Sequence, residues 1–367
     1  MNTNLTLESI KKFIGVDKHL IISGPCSAET EDQVMSTCER LNATGKVNML
    51  RAGIWKPRTR PNSFEGVGEV GLEWLVNAGK ATGLKTTTEV AKAEHVEKAL
   101  KNGIDVLWIG ARTTVNPFSV QEVADALKGV DVPVMVKNPI NPDLALWIGA
   151  LERLNKVGIT KLAAIHRGFA TSEATPFRNV PKWEIAIKLK TIVPDLEIIC
   201  DPSHISGNRE LIPLVSQKAL DLDMDGLMIE SHIHPSTALS DAQQQMKPAA
   251  FGQIIDNLVF RKSDVKNELF NNKLEELREQ IDKIDDDIIH QFGTRMGIAE
   301  QIGIYKKENK VTVLQVNRWK EILEERTSMG KALGLSEEFI EKLLELIHKE
   351  SINRQNKVMN EDLVGQK

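Results

Sequence analysis

Eight short apolar runs, each ending near a residue that can bind a metal or an anion, constrain this chain more than any other feature. In order they are His19–Gly24 followed by Cys26, Val47–Leu50 by Arg51, Leu84–Thr88 by Glu89, and Val106–Ile109 by Arg112. Then come Val132–Val136 followed by Lys137, Lys161–Ile165 by His166 and Arg167, Leu196–Cys200 by Asp201 and His204, and Gly226–Ile229 by Glu230. Amphipathic stretches separate the runs, so strands and helices alternate, which builds a parallel sheet. Eight such units over about 250 residues are what a closed (β/α)8 barrel requires, and such barrels do their chemistry where the strands end. Charged residues stand at that end each time. The pattern points to an enzyme.

The punctuation between runs agrees with this reading. After a short lead-in over 1–17, helices are expected at Thr30–Leu41, Val67–Thr82, Ala91–Lys101, Pro117–Leu127, Pro142–Val157, Lys182–Ile192, Arg209–Ala219 and Asp241–Phe260. Asn116 before Pro117, and Asn141 before Pro142, read as N-caps with proline at the first helical position. Gly45, Gly83, Gly103, Gly129 and Gly158 follow five helix ends, where a left-handed cap is favoured.

A barrel over 1–262 and a polar linker over 263–272 leave a second unit at 273–367 of the 367 residues. There the strand pattern stops. Leu274, Leu277, Ile281, Ile284, Ile288 and Phe292 step by three and four, the signature of a helix with one apolar seam. That helix is expected to reach Lys307, with two more at Leu314–Met329 and Glu337–Met359, the last capped by Ser336. So long a helix in so small a unit buries its seam only by pairing, so a homodimer, or by further pairing a homotetramer, is expected.

Composition narrows the function. A net charge of −4 gives no basic field for nucleic acid, so the cations at the strand ends point to a local anionic ligand. Three cysteines form no disulfide framework and suggest a reducing cytoplasm. The N-terminus lacks a signal-peptide layout, and no apolar run is long enough to span a bilayer.

Two kinds of group converge on the barrel rim. Cys26, His204, Glu230 and Asp241 offer sulfur, nitrogen and oxygen, a set suited to a divalent transition metal. Arg51, Lys56, Arg58, Arg112, Lys137 and Arg167 are fixed cations, enough for two phosphates or carboxylates. A lone strand-end cysteine is usually a small buried hydrophobe, and a lone arginine often a salt bridge. Convergence on one rim outweighs both readings. His232 and His234 read as loop residues near the metal set, and Cys38 and Cys200 as core.

Gly24-Pro25-Cys26-Ser27, Arg51 with Lys56-Pro57-Arg58-Thr59, Gly110-Ala111-Arg112-Thr113, Lys137-Asn138, His166-Arg167-Gly168, Asp201-Pro202-Ser203-His204, Glu230-Ser231-His232 and Ser240-Asp241-Ala242 together resemble the 3-deoxy-D-arabino-heptulosonate 7-phosphate (DAHP) synthases, over about residues 18–260. The resemblance implies a metal, commonly Mn2+, on Cys26, His204, Glu230 and Asp241, and no organic cofactor. It implies phosphoenolpyruvate on Arg51, Lys56, Arg112, Lys137 and Arg167. Erythrose 4-phosphate would lie on Lys56, Pro57, Arg58 and Thr59, with Lys56 and His204 as proton-transfer groups beside the metal-bound Cys26. Arg60 departs from the serine common in relatives. The octulosonate phosphate synthases share this barrel but carry a different motif at Lys56–Thr59, which makes them the weaker reading.

In the second unit Arg295 and Lys306 lie eleven residues apart, three turns on one helix face, while Arg278 points about 100° away. With Arg318, Ser351 and Gln355 they resemble the all-helical chorismate mutases over about residues 270–360, in which Arg278 would come from the partner protomer. Gln315 and Trp319 depart from the acidic residues usual there, so a sensor that binds prephenate or chorismate without turnover is the alternative. The resemblance implies chorismate as substrate of this unit and prephenate as a feedback inhibitor of the first.

Overall fold

The structure, a computed structural model, describes residues 3–56, 64–172, 174–261 and 267–364. The chain divides into two units, Met1–Ser263 and Asp264–Lys367, each described by itself.

In the first unit eight parallel strands close a barrel in sequence order: β1 Leu20–Gly24, β2 Met49–Arg51, β3 Lys85–Val90, β4 Val106–Ile109, β5 Val134–Lys137, β6 Leu162–His166, β7 Glu197–Cys200 and β8 Gly226–Glu230. The ring closes where β8 pairs with β1, with Gly24 opposite Glu230. The helices are α1 Ile10–Ile14, α2 Glu31–Asn42, α3 Val70–Thr82, α4 Ala93–Asn102, α5 Ala111–Thr114, α6 Pro117–Ala126, α7 Leu144–Lys156, α8 Trp183–Ile192, α9 Pro202–Ser206, α10 Ile212–Asp221 and α11 Pro248–Asn257.

Side chains alternate across each strand, so the two faces of the barrel carry separate cores. Leu20, Ile22, Met49, Val106, Trp108, Met135, Ala163, Ile165, Ile199 and Met228 fill the interior. Ile21, Leu50, Leu107, Val134, Ala164, Ile198 and Leu227, one residue out of step, meet the helices. The inward series continues to the C-terminal rim as Arg51, Glu89, Lys137, Asp201 and Glu230. The lead-in becomes α1, which closes the opposite mouth. Its N-terminal N–H groups on Ile10 and Lys11 donate to Glu197 at 3.0 and 3.1 Å, and Ile10 joins the interior core.

Three expectations are corrected. The helix expected at Asp241–Phe260 runs only over Pro248–Asn257, because Asp241 takes a left-handed φ of 48° and the chain to Lys247 follows the rim. The Pro142–Val157 helix begins at Leu144, capped by Asp143 rather than Asn141, with Asp143 Oδ1 accepting from Leu146 N–H at 3.0 Å. His166 ends β6 with outward parity. It faces not the rim but Trp147, Phe169 and Trp183, with ring centroids 5.1–6.3 Å away.

The second unit is three helices: α12 Glu268–Glu308, α13 Val316–Ala332 and α14 Glu337–Val364. At 41 residues, α12 is about 60 Å long. Ser336 Oγ accepts from Phe339 N–H at 3.3 Å, the expected cap. Within one chain the seam stays open, with Leu277, Ile281, Ile284 and Ile288 between 44% and 58% exposed. Among the described residues, no helix is long and apolar enough to cross a membrane.

Candidate active sites in the two units

The barrel site grows from the inward parity of the strand ends. Arg51, at the end of β2, is 1% exposed, with its guanidinium 4.9 Å from the Trp108 ring. Its NH2 donates to the Cys26 carbonyl at 3.1 Å and stands 3.2 Å from Glu230 Oε1. Its Nε and NH1 are buried without a hydrogen-bond partner. Lys137, on β5, reaches over the same indole at 5.6 Å and donates to Asp201 Oδ2 at 2.8 Å. Arg167 donates to Asn179 Oδ1 at 2.6 Å, and Arg112, on α5, is exposed. Burial pulls Arg167 down to about 10, against Asp201, so it remains a cation at neutral pH. Arg51 and Lys137 thus meet at one indole, and two buried donors of Arg51 have no acceptor among the described residues, an arrangement suited to an anion.

Beside it lies a possible metal site. One ligand atom each from Cys26, Glu230 and Asp241 lies within 4.8 Å of the others. Ligands at about 2.0–2.3 Å from one ion stand no farther apart than that, so the trio fits a single ion. Gly24 makes it possible: at φ 151°, a Cβ there would lie 2.0 Å from the Arg51 carbonyl oxygen, so only glycine lets β1 close on β2. His204 stands beside the trio, its Nε2 3.9 Å from Glu230 Oε1 and its Nδ1 2.8 Å from Asp201 Oδ2. Pro202 starts α9 and Asp201 caps it, accepting from His204 N–H at 3.1 Å. Lys56 Nζ donates to Cys26 Sγ at 3.0 Å.

Electrostatics match a site built for a cation. Burial pushes the Cys26 thiol up to about 12, Glu230 adding to the rise and Lys56 opposing it. Burial would also raise Glu230 and Asp241, but His204 and the nearby cations hold both below the usual carboxylate range. Burial lowers His204 against the pull of Asp201. Glu230 Oε1 accepts no hydrogen bond, although the residue is fully buried. A sulfur and two carboxylates, one with an open lone pair, suit a borderline-soft divalent ion.

Pro57, Arg58 and Thr59 lie outside the described residues, as does Arg60. His232 faces Glu29, with Nε2 3.4 Å from its carboxylate. Cys38 and Cys200 are buried in the outer core, and the Cys38 thiol is pushed up by burial to about 12. Trp108, Arg178, Asn179 and Gln244 are site residues the sequence reading missed. Trp108 was legible in principle, since it shares the parity of Arg51 and Lys137.

In the helical unit a cavity of about 300 Å³ gathers Arg295, Lys306, Arg318, Ser351 and Gln355 from all three helices. Arg295 NH1 donates to Ser351 Oγ at 2.5 Å, and Lys306 Nζ to the Val313 carbonyl at 2.6 Å. Gln355 Oε1 is buried without a partner. Trp319 stacks on His348 at 3.9 Å along the cavity wall, and Gln315 lines it too. Arg278 is not among the lining residues. It is exposed on α12, 3.5 Å from Glu275.

Comparison with known proteins finds a family for each unit. Residues 2–265 match the DAHP synthetase I family and residues 277–356 match chorismate mutase type II. Phospho-2-dehydro-3-deoxyheptonate aldolase of Thermotoga maritima is 31% identical over 257 residues, 70% of this chain and 73% of that protein. A crystal structure of the T. maritima enzyme superposes with a TM-score of 0.58 at 32% identity, covering 65% of this chain and 67% of that one. A 2-dehydro-3-deoxyphosphooctonate aldolase of Variovorax paradoxus is 25% identical, over 62% of this chain and 85% of that protein. The chain belongs to the DAHP synthetase I family, and it carries a chorismate mutase type II domain behind its barrel.

Proposed function

We propose that the barrel condenses phosphoenolpyruvate with erythrose 4-phosphate to give DAHP and phosphate, and that the helical unit rearranges chorismate to prephenate. One observation carries the barrel half. The unpaired Arg51 donors and Lys137 lie over Trp108, and Arg51 NH2 is 3.2 Å from a carboxylate of the metal-type trio. An enol phosphate and an aldehyde can therefore be held side by side. Arg51, Lys56, Arg112, Lys137 and Arg167 bind phosphoenolpyruvate, and Lys56, shared between the substrates, takes the sugar phosphate with Pro57, Arg58 and Thr59. Cys26, Glu230 and Asp241, with His204 beside them, would hold a divalent ion, Mn2+ in this reading, and when bound it would supply Lewis-acid polarisation of the aldehyde oxygen.

The cations hold two repelling anions in register and stabilise the charge that develops between them. C3 of phosphoenolpyruvate bonds to the aldehyde carbon, and the aldehyde π electrons go to oxygen. Lys56 supplies the proton that oxygen takes up. Water adds at C2 and returns one proton to Lys56. As the C2–O bond to phosphate breaks, the remaining hydroxyl proton leaves with the phosphate as its monohydrogen ion, and the ketone remains. A two-substrate assay tests this. Turnover of erythrose 4-phosphate, abolished by chelator and restored by Mn2+, is expected. Preference for arabinose 5-phosphate would transfer the barrel to the octulosonate reading.

In the helical unit Arg295, Lys306 and Arg318 meet the two carboxylates and the ether oxygen of chorismate, with Ser351 and Gln355 completing the set. Binding the more charge-separated transition state more tightly than the substrate accelerates the rearrangement without a cofactor. Arg278 completes the cavity of a second protomer, and the exposed seam of α12 is the dimer face. Pairing of such dimers would give the homotetramer. The free cysteines suit a reducing cytoplasm.

Prephenate bound in this cavity inhibits the barrel, a coupling between two sites. Prephenate is expected to inhibit the full-length protein, while a Lys306→Ala variant should retain barrel activity and resist inhibition. Equal inhibition of both proteins would reject the coupling. A chain that binds prephenate but leaves chorismate unconverted would make the unit a sensor.

A further inference from the structure

The loop between β6 and α8 places two adjacent side chains against the proposed ligands. Arg178 NH1 donates to Asp241 Oδ1 at 2.9 Å and to Gln244 Oε1 at 2.7 Å. Gln244 extends the connection, its Nε2 donating to Glu230 Oε2 at 2.7 Å. Asn179 donates from Nδ2 to the His204 carbonyl at 2.6 Å and accepts at Oδ1 from Arg167, also at 2.6 Å. One dipeptide therefore touches, directly or through one amide, three of the four proposed metal ligands and one phosphoenolpyruvate cation.

The surroundings hold this dipeptide in place. Backbone N–H groups of Arg178 and Asn179 donate to the carbonyls of Ser206 and Ile205 at 3.3 and 3.1 Å, which docks the loop on α9. Gly207 permits the approach: its φ is 70°, and a Cβ there would lie 2.4 Å from Arg178 Cβ. Asp241, at φ 48°, keeps a left-handed backbone that a non-glycine residue holds only where its neighbours over-determine it. The Arg178 ion pair does so, together with Gln244 N–H donating to the Asp241 carbonyl at 3.1 Å.

We propose that Arg178 and Asn179 form a brace coupling the metal half of the barrel pocket to its anion half. Arg178 sets the Asp241 carboxylate and, through Gln244, that of Glu230, while Asn179 ties His204 to Arg167. Both act as positioning residues, and the inference rests on the ligand set proposed above. Partners that orient metal ligands typically matter about 10–100-fold in metal affinity.

The test uses full-length protein with Co2+ as probe, read by chelator competition and by the thiolate-to-metal absorption band. Arg178→Met is expected to weaken Co2+ binding about 10–100-fold and shift the band, with phosphoenolpyruvate affinity of the metal-free protein unchanged. Arg178→Lys recovers part of the loss. Gln244→Leu weakens Co2+ binding by itself, and adding it to Arg178→Met costs less than the sum of the two. Asn179→Ala weakens both ligands and abolishes the effect of phosphoenolpyruvate on Co2+ affinity. Wild-type affinity and band in Arg178→Met and in Gln244→Leu would overturn the brace, as would intact coupling in Asn179→Ala. Cys26→Ser separates the two readings. Loss of the band there, with Arg178→Met unaffected, rejects the brace alone, whereas a band retained in Cys26→Ser rejects the ligand set.

Discussion

The two units solve the same problem, holding anions in a fixed field, by opposite means. In the barrel two cations are buried beside two buried carboxylates: Arg51 and Lys137 are 1% and 3% exposed, and their partners Glu230 and Asp201 fully buried. In the helical unit the cations line an open wall, Arg278 stands apart, and the apolar seam faces outward. In the reading proposed above, Arg278 of a second copy would complete the helical site, brought there by pairing along the open seam. Closed topology makes the difference, because eight strands point their inward residues at one rim, whereas three helices leave an unpaired face.

The comparison breaks most sharply at Arg51. Arg51→Ala should lower DAHP synthase kcat/KM by about 10³-fold. It should also cost about 3–5 kcal/mol of barrel stability, because Glu230 is left buried and unpaired. Steady-state kinetics and denaturant melts check both, and the chorismate mutase rate should not change. The reverse follows for Lys306→Ala, which should lower mutase kcat/KM about 10²-fold and leave the uninhibited synthase rate intact.

Arg278→Ala sharpens the contrast further. It should cost the mutase about 10-fold or more, in the range of a lost charge-assisted contact. Mixing Arg278→Ala with Lys306→Ala chains should recover activity, because a mixed dimer keeps one intact cavity. No recovery after subunit exchange would place Arg278 outside the site.

The smallest effect is on pH dependence. Burial lowers His166 to about 3 from an ordinary 6.5, with Arg167 adding to the fall. The unfolded chain therefore binds the proton first, and barrel stability falls as pH drops from 6.5 towards 3. His166→Phe should flatten that part of the melting-temperature profile, and the helical unit should not respond.

Much of this was legible in the sequence, and the failures have physical causes. The eight runs marked the strands because a parallel strand covered on both faces must be apolar almost throughout. All five rim residues named for inward parity, Arg51, Glu89, Lys137, Asp201 and Glu230, directly follow their runs. His166 misled because position at a strand end does not fix side-chain direction; parity does. Arg178 and Asn179 lie on an irregular loop with no period to read, and their importance comes from contacts with residues 12–66 positions away. The sequence pattern puts Asp241 on a helix, because nothing local signals a left-handed backbone that depends on the ion pair with Arg178. In the helical unit the seam and caps were plain, whereas the Trp319–His348 stack joins two helices and could not be inferred from either alone.

The central claim is that the barrel rim brings one metal ion and the phosphoenolpyruvate cations into a single pocket. Anomalous scattering from crystals soaked in Mn2+ and phosphoenolpyruvate tests it directly. One peak within about 2.5 Å of Cys26 Sγ and of donor atoms on His204, Glu230 and Asp241, with the enol phosphate on Arg51 and Lys137, is the expected result. A peak elsewhere, or Cys26 left unligated beside bound phosphoenolpyruvate, would contradict it.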